Sequence, residues 1–217
     1  MMNSSNRPIR PASLRPYVNP LTQLCYVGAD HCQYDLLNSV TNADRQIYEM
    51  LSRWAIRDTT ALIQKMKWLM GTGTRQEFES AHNILTGMMG SERRGYIETS
   101  SESDRERHRL TVVHYYMRRM PPGGIKAYDY SWIVFLSCAG HKLGFITESE
   151  MWYYISDTVD LIQGSYISWK DYIIGYSIGA VYNAADLSWN CISDHKALLA
   201  RLLNSSANPL NSIDKKH

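Results

Sequence analysis

Phenylalanine is scarce in this chain: three Phe stand against fifteen Tyr and six Trp in 217 residues. Cysteine is sparse as well. Cys25, Cys32, Cys138 and Cys191 form no Cys-x-x-Cys pair, so zinc-ribbon and dithiol redox chemistry lack their motif, and the pattern fits a reducing compartment. Long apolar runs are missing. The longest, about Trp132 to Gly140, falls far short of the ~20 residues that a membrane-spanning helix needs. Residues 1–20 show no apolar core of a signal peptide. Charge of one sign is missing too: 23 Lys and Arg face 21 Asp and Glu, for a net +2. That balance gives no electrostatic footprint for nucleic acid or anionic lipid. The expectation is a cytoplasmic protein with neither a membrane nor a nucleic acid as partner.

Motifs for several common chemistries are absent. The sequence has no Gly-x-x-x-x-Gly-Lys-Ser/Thr, no Gly-x-Gly-x-x-Gly and no His-Glu-x-x-His. His108 and His114 lie six apart, on different faces of a straight helix. Neither a cofactor nor a metal site is expected.

What is present is helical. An apolar fraction of 44% with 20% charged residues is ordinary for a globular chain and excludes disorder throughout. Proline is confined to Pro8, Pro11, Pro16, Pro20, Pro121, Pro122 and Pro209. The blocks 21–120 and 123–208 contain none, as helix interiors require. The reading is a mainly α fold: a compact bundle of about seven helices in two layers joined at the turn Pro121-Pro-Gly-Gly124. Residues 1–20 form a flexible arm in this reading, 21–205 a single helical domain, and 206–217 a tail.

Helices are expected over about 44–56 (Ile47, Met50, Leu51 and Trp54 on one face), from the cap Asp58 to a stop at Gly71 and Gly73, and over 75–88. Residues 90–103 read as an exposed loop, followed by a helix to Met120. A helix over about 125–143 is apolar nearly all round, which marks a central element. Thr147-Glu-Ser-Glu150 is a capping-box pattern, and Ser168-Trp-Lys-Asp171 starts the next helix. A last helix is expected from Asp194 to Leu203, and a short strand near Leu24–Val27. The pairs Gly140/Gly144 and Gly175/Gly179 predict close approach by another helix or by a ligand.

Three segments carry a resemblance. They are Trp54-Ala-Ile56 with Trp68-Leu69 and Gly73-Thr-Arg75; Ala127-Tyr-Asp129 with Gly144-Phe-Ile-Thr-Glu-Ser-Glu-Met-Trp152; and Ser168-Trp169 with Tyr176 and Gly179. In this order they are similar to the YbeU/YbeR-like bacterial proteins, the family of domain of unknown function 1266, over about residues 44–185. The resemblance implies a helical fold and no defined activity. The family pattern tends to carry Arg where this chain has Trp132, Cys138 and Ala180, and His at Thr74. Those basic groups would be anion ligands or buried ion-pair partners in relatives, and the sequence does not separate the two.

Two features point to function. Asp129, one turn into the most apolar helix, is a candidate general acid or base, because burial raises a carboxyl pKa; the plainer reading is a helix-start aspartate. An Asp129-centred enzyme site would gather Arg75, His114 and Glu148 or Glu150. The second feature is the tyrosine excess, with ten Tyr between 115 and 182. A ring with a polar tip suits interfaces. Tyr153, Tyr154, Trp169 and Tyr176 are therefore binding candidates beside Arg75, His114, Asp129 and Glu150. The favoured function is a non-enzymatic interaction module with a protein partner, in a regulatory or protective role.

Overall fold

The structure is a computed structural model that describes residues 11–25, 43–99 and 103–184. Among the described residues there are nine helices and no strand: α1 Pro11–Cys25, α2 Ala43–Arg53, α3 Thr59–Gly71, α4 Gly73–Thr86, α5 Gly90–Thr99, α6 Asp104–Tyr116, α7 Lys126–Lys142, α8 Glu148–Ser165 and α9 Trp169–Tyr182. The mainly α expectation holds. Seven of these helices stand where the sequence places them, and α1 and α5 are additional.

Helix starts follow local chemistry. The Asp58 carboxylate accepts from the Ala61 amide at 2.8 Å. Ser103 and Ser168 accept from the Glu106 and Asp171 amides, each at 3.2 Å. Thr147 and Glu150 form a full capping box. Each such cap satisfies an amide that the first helical turn leaves without a partner.

Helix α7 is the central element. Twelve of its residues are buried, Asp129, Ser131 and Ser137 among them, and α1, α3, α4, α8 and α9 all pack on it. The hydrophobic side chains fall into two groups. One joins α1, α2, α3, α7, α8 and α9. The other joins Phe78 and Leu85 of α4, Ile97 of α5 and Leu110 and Val113 of α6 to Ile178, Val181 and Tyr182 of α9. Of the two glycine pairs, three members sit beside protein: a Cβ at Gly140 would strike Leu62, one at Gly175 the Gly124 carbonyl and one at Gly179 Tyr128, while Gly144 faces open space and has φ 73° just past the end of α7.

Two expectations need correction. Residues 11–20 are not a flexible arm but the first turns of α1. Its Leu14, Val18, Leu21 and Leu24, at helical spacing, are buried. Pro16 and Pro20 lie inside this helix, at up to about 3 kcal/mol each. Burying four aliphatic side chains, at about 1.5–3 kcal/mol each, offsets that cost. Residues 90–99 are likewise α5 rather than loop. Glu92 accepts from the Met89 amide at 2.8 Å, Arg93 Nε donates to the Leu85 carbonyl at 2.7 Å, and Ile97 is buried. Leu24 and Cys25, expected in a strand, end α1. The rest of that strand, the helix expected over 194–203 and the tail lie outside the described residues.

Candidate functional site

The Asp129 side chain is fully buried and that of Arg75 is 9% exposed. They meet because α4 begins where α7 crosses it. Gly73 has φ 60°, a left-handed conformation that favours glycine, and a Cβ there would strike the Asp129 carboxylate. The turn thus brings the first amides of α4 onto that carboxylate. The Thr74 amide donates to Oδ1 at 3.0 Å, and the Arg75 amide and guanidinium donate to Oδ2 at 3.2 and 2.9 Å. The guanidinium also donates to the Leu69 and Met70 carbonyls, each at 2.6 Å, where α3 ends.

Burial pushes the Asp129 carboxyl above the usual aspartate range, against the pull of both amides and the Arg75 charge. Chemically the constellation is a staple: one anion caps α4, and one cation closes α3. Thr74 contributes its amide, so the bond does not need the histidine of the family pattern.

The other expected members of an Asp129 site stand elsewhere. Glu150 is exposed in the capping box of α8, with its carboxyl held below the usual glutamate range by the Thr147 amide and hydroxyl. Glu148 accepts from Trp152 Nε1 at 3.1 Å. His114 is half-buried on α6, and its Nδ1 has no partner among the described residues. Of the candidates, the structure brings together Arg75 and Asp129.

The binding aromatics divide by burial. Trp169 packs against Tyr17 and Tyr172, with ring centroids 5.9 and 5.1 Å away. Tyr176 donates to the Leu24 carbonyl at 2.6 Å and ties α1 to α9. Tyr172 donates to the Ala127 carbonyl and pairs with Ser131 Oγ at 2.7 Å. Tyr166 accepts from the Ala127 amide and reaches the Gly123 and Gly124 carbonyls, which pins the Pro-Pro-Gly-Gly turn. The Tyr166 and Tyr176 hydroxyls serve backbone groups at the start of α7, in the turn and at the end of α1, while Tyr172 ties α9 to α7. Tyr153 is different: it is 45% exposed on α8, edge-on to the half-buried Tyr154 at 5.6 Å. A hydrogen bond and negative charge from Asp157 raise its pKa.

A groove of about 380 Å³ lies between α4, α6 and the end of α9. Ala81, Ile84, Tyr96 and Leu110 supply its apolar lining, and Glu77, Arg105, Glu106 and Arg109 its charges. Arg109 fixes one wall. Its guanidinium lies 4.9 Å over the Tyr182 ring and donates to Glu77 at 2.8 Å. Ile84 is 46% exposed. The sequence reading missed this groove. Its one signal was Ile84, an apolar residue off the buried Phe78/Leu85 stripe of α4.

Among the described residues, no helix is long and apolar enough to cross a membrane, and no cluster of His, Cys, Asp and Glu has the makings of a metal site. No curated protein and no solved structure matches the chain. A family model matches residues 49–214, more than half of the chain. The chain therefore belongs to the family described as protein of unknown function (DUF1266).

Proposed function

We propose that the chain is a non-enzymatic protein-interaction module of the bacterial cytoplasm, and that the groove between α4 and α6 is its binding face. The groove's combination of an apolar lining, in which Ile84 is exposed, and a charged rim carries this reading. That is the usual anatomy of a surface that takes a partner's side chains. The staple supports the same reading from the other side, because the Asp129 carboxylate is enclosed and already accepts three hydrogen bonds. A partner segment would seat one or two apolar side chains on Ile84, Tyr96 and Leu110 and pair its polar groups with the rim.

The test is affinity capture from native lysate with mass spectrometry, comparing wild type, Ile84→Glu and the double variant Tyr153→Ala/Tyr154→Ala. A stoichiometric protein lost in Ile84→Glu and kept in the tyrosine variant supports the groove. Loss in the tyrosine variant alone moves the interface to α8. A chain that carries a tightly held small molecule and no protein overturns the interaction reading.

A further inference from the structure

Lys65 on α3 directs its ammonium at two indole rings. Nζ lies 4.6 Å from the Trp54 ring centroid and 3.9 Å from that of Trp68. Trp68 reaches it from one turn along the same helix, and Trp54 comes from the turn after α2. The Trp54 ring is held in place by packing: it lies 4.5 Å from Trp132, and Trp132 in turn lies 5.3 Å from Phe135. One wall of the cation's seat is therefore fixed by the core, while Trp68 remains 38% exposed.

The seat has a peculiarity. Among the described residues Lys65 makes no ion pair, although burial lowers its pKa against the pull of Asp129 and Glu77. Aromatic faces attract positive charge but accept N–H hydrogen bonds poorly. An ammonium with three N–H donors is thus an imperfect occupant, because its donors still need water. A quaternary ammonium has no N–H to satisfy and places its charge on methyl groups that pack on the rings. Two indole faces close to one cation are the chemistry that recognises it.

We propose that the Trp54/Trp68 pair is a binding site for a quaternary ammonium group, held in the free protein by Lys65 as an exchangeable internal occupant. The four-carbon stem of Lys65 lets the ammonium swing into solvent when a ligand arrives. Lys65 then acts as a competitor that sets the affinity. This site is separate from the α4/α6 groove, and neither proposal depends on the other.

Tetramethylammonium chloride is the probe, at constant ionic strength, with tert-butanol as the neutral control of similar shape. In wild-type protein, NMR follows the Lys65 side-chain protons, which ring currents displace while they lie on the indoles. Tetramethylammonium should return them to their solvent-exposed shifts saturably, and tert-butanol should not. Indole fluorescence then compares variants. Lys65→Met, which removes the competing charge from the seat, should bind tetramethylammonium roughly tenfold more tightly than wild type. Adding Trp68→Leu to Lys65→Met should abolish that binding.

Unmoved Lys65 resonances at saturating probe overturn the proposal. So does a Lys65→Met protein that binds no more tightly than wild type, or equal binding of tert-butanol. If Lys65→Met loses its helical circular dichroism, the wild-type NMR titration decides alone.

Discussion

Replacing Arg75 by Met tests whether the buried staple holds the fold. Met keeps much of the apolar stem but removes the charge and the side-chain bonds to Asp129, Leu69 and Met70. A fully buried carboxylate then remains with two amide donors. Breaking a buried pair by removing one partner costs about 3–5 kcal/mol, a large part of the about 5–15 kcal/mol that holds a typical protein folded. Urea unfolding at pH 7 measures it.

The pH dependence gives a second readout. Burial already holds Asp129 above the usual aspartate value, and the Arg75 charge pulls it down, so Arg75→Met moves it higher still. A carboxyl with a native pKa above its unfolded one takes up its proton first in the native state. Stability then rises as pH falls through the native value. The deficit of Arg75→Met should therefore shrink between pH 7 and about pH 4, the range of an unfolded aspartate. The double variant Arg75→Met/Asp129→Asn removes the stranded charge and should recover about 1–3 kcal/mol at pH 7. A cost below about 1 kcal/mol, the value of an exposed pair, would refute the reasoning, and so would a deficit that widens toward acid.

Two further outcomes follow from the hydrogen-bond geometry. Tyr176→Phe removes the bond to the Leu24 carbonyl and should cost about 1–3 kcal/mol, the penalty of an unpaired buried acceptor. Amides of α1 should exchange faster in hydrogen-exchange mass spectrometry, with those of α8 unchanged; uniform exchange would mean that the hydroxyl does not anchor α1. Thr147→Ala should raise the Glu150 pKa toward the ordinary glutamate value in an NMR titration, because the hydroxyl that helps hold it down is gone. A depressed native pKa contributes stability present above the unfolded value and lost as pH falls through the native one. The Thr147→Ala deficit should therefore be largest near neutrality and fade in acid.

The parts of the fold that were legible in the sequence are those decided within one turn of chain. Asp58, Thr147 and Ser168 announce helices because a cap needs only its own next three residues. Elements decided by distant contacts were hidden. Pro16 and Pro20 speak against α1, and only the cover of α7 and α8 over Leu14, Val18 and Leu21 reverses them. Gly90, Gly95 and a run of polar residues disguise α5, whose anchors are Ile97 against α6 and the Arg93 bond to Leu85. The tyrosine count was visible, but the destination of each hydroxyl was not. Phe would fill much the same space as Tyr166 or Tyr176 but would leave the start of α7, the glycine turn or the end of α1 with unmatched backbone groups.

The segments that resemble the family meet one another in space. Arg75 of the first takes Asp129 of the second. Gly179 of the third lies against Tyr128 of the second, and Trp54 of the first lies against Trp132, one turn beyond Asp129. The first of these contacts closes a polar group, the second fills a close approach in the interior, and the third packs two half-buried rings. A pattern whose members satisfy one another specifies a fold without requiring a reaction, which is why it names the family and leaves the activity open. Binding has to be sought where side chains are left unspent: the exposed lining around Ile84, and the indoles that hold Lys65 without a counter-ion among the described residues. Neither lies in the Arg75–Asp129 staple, so loss of binding there and loss of the fold are separable by mutation.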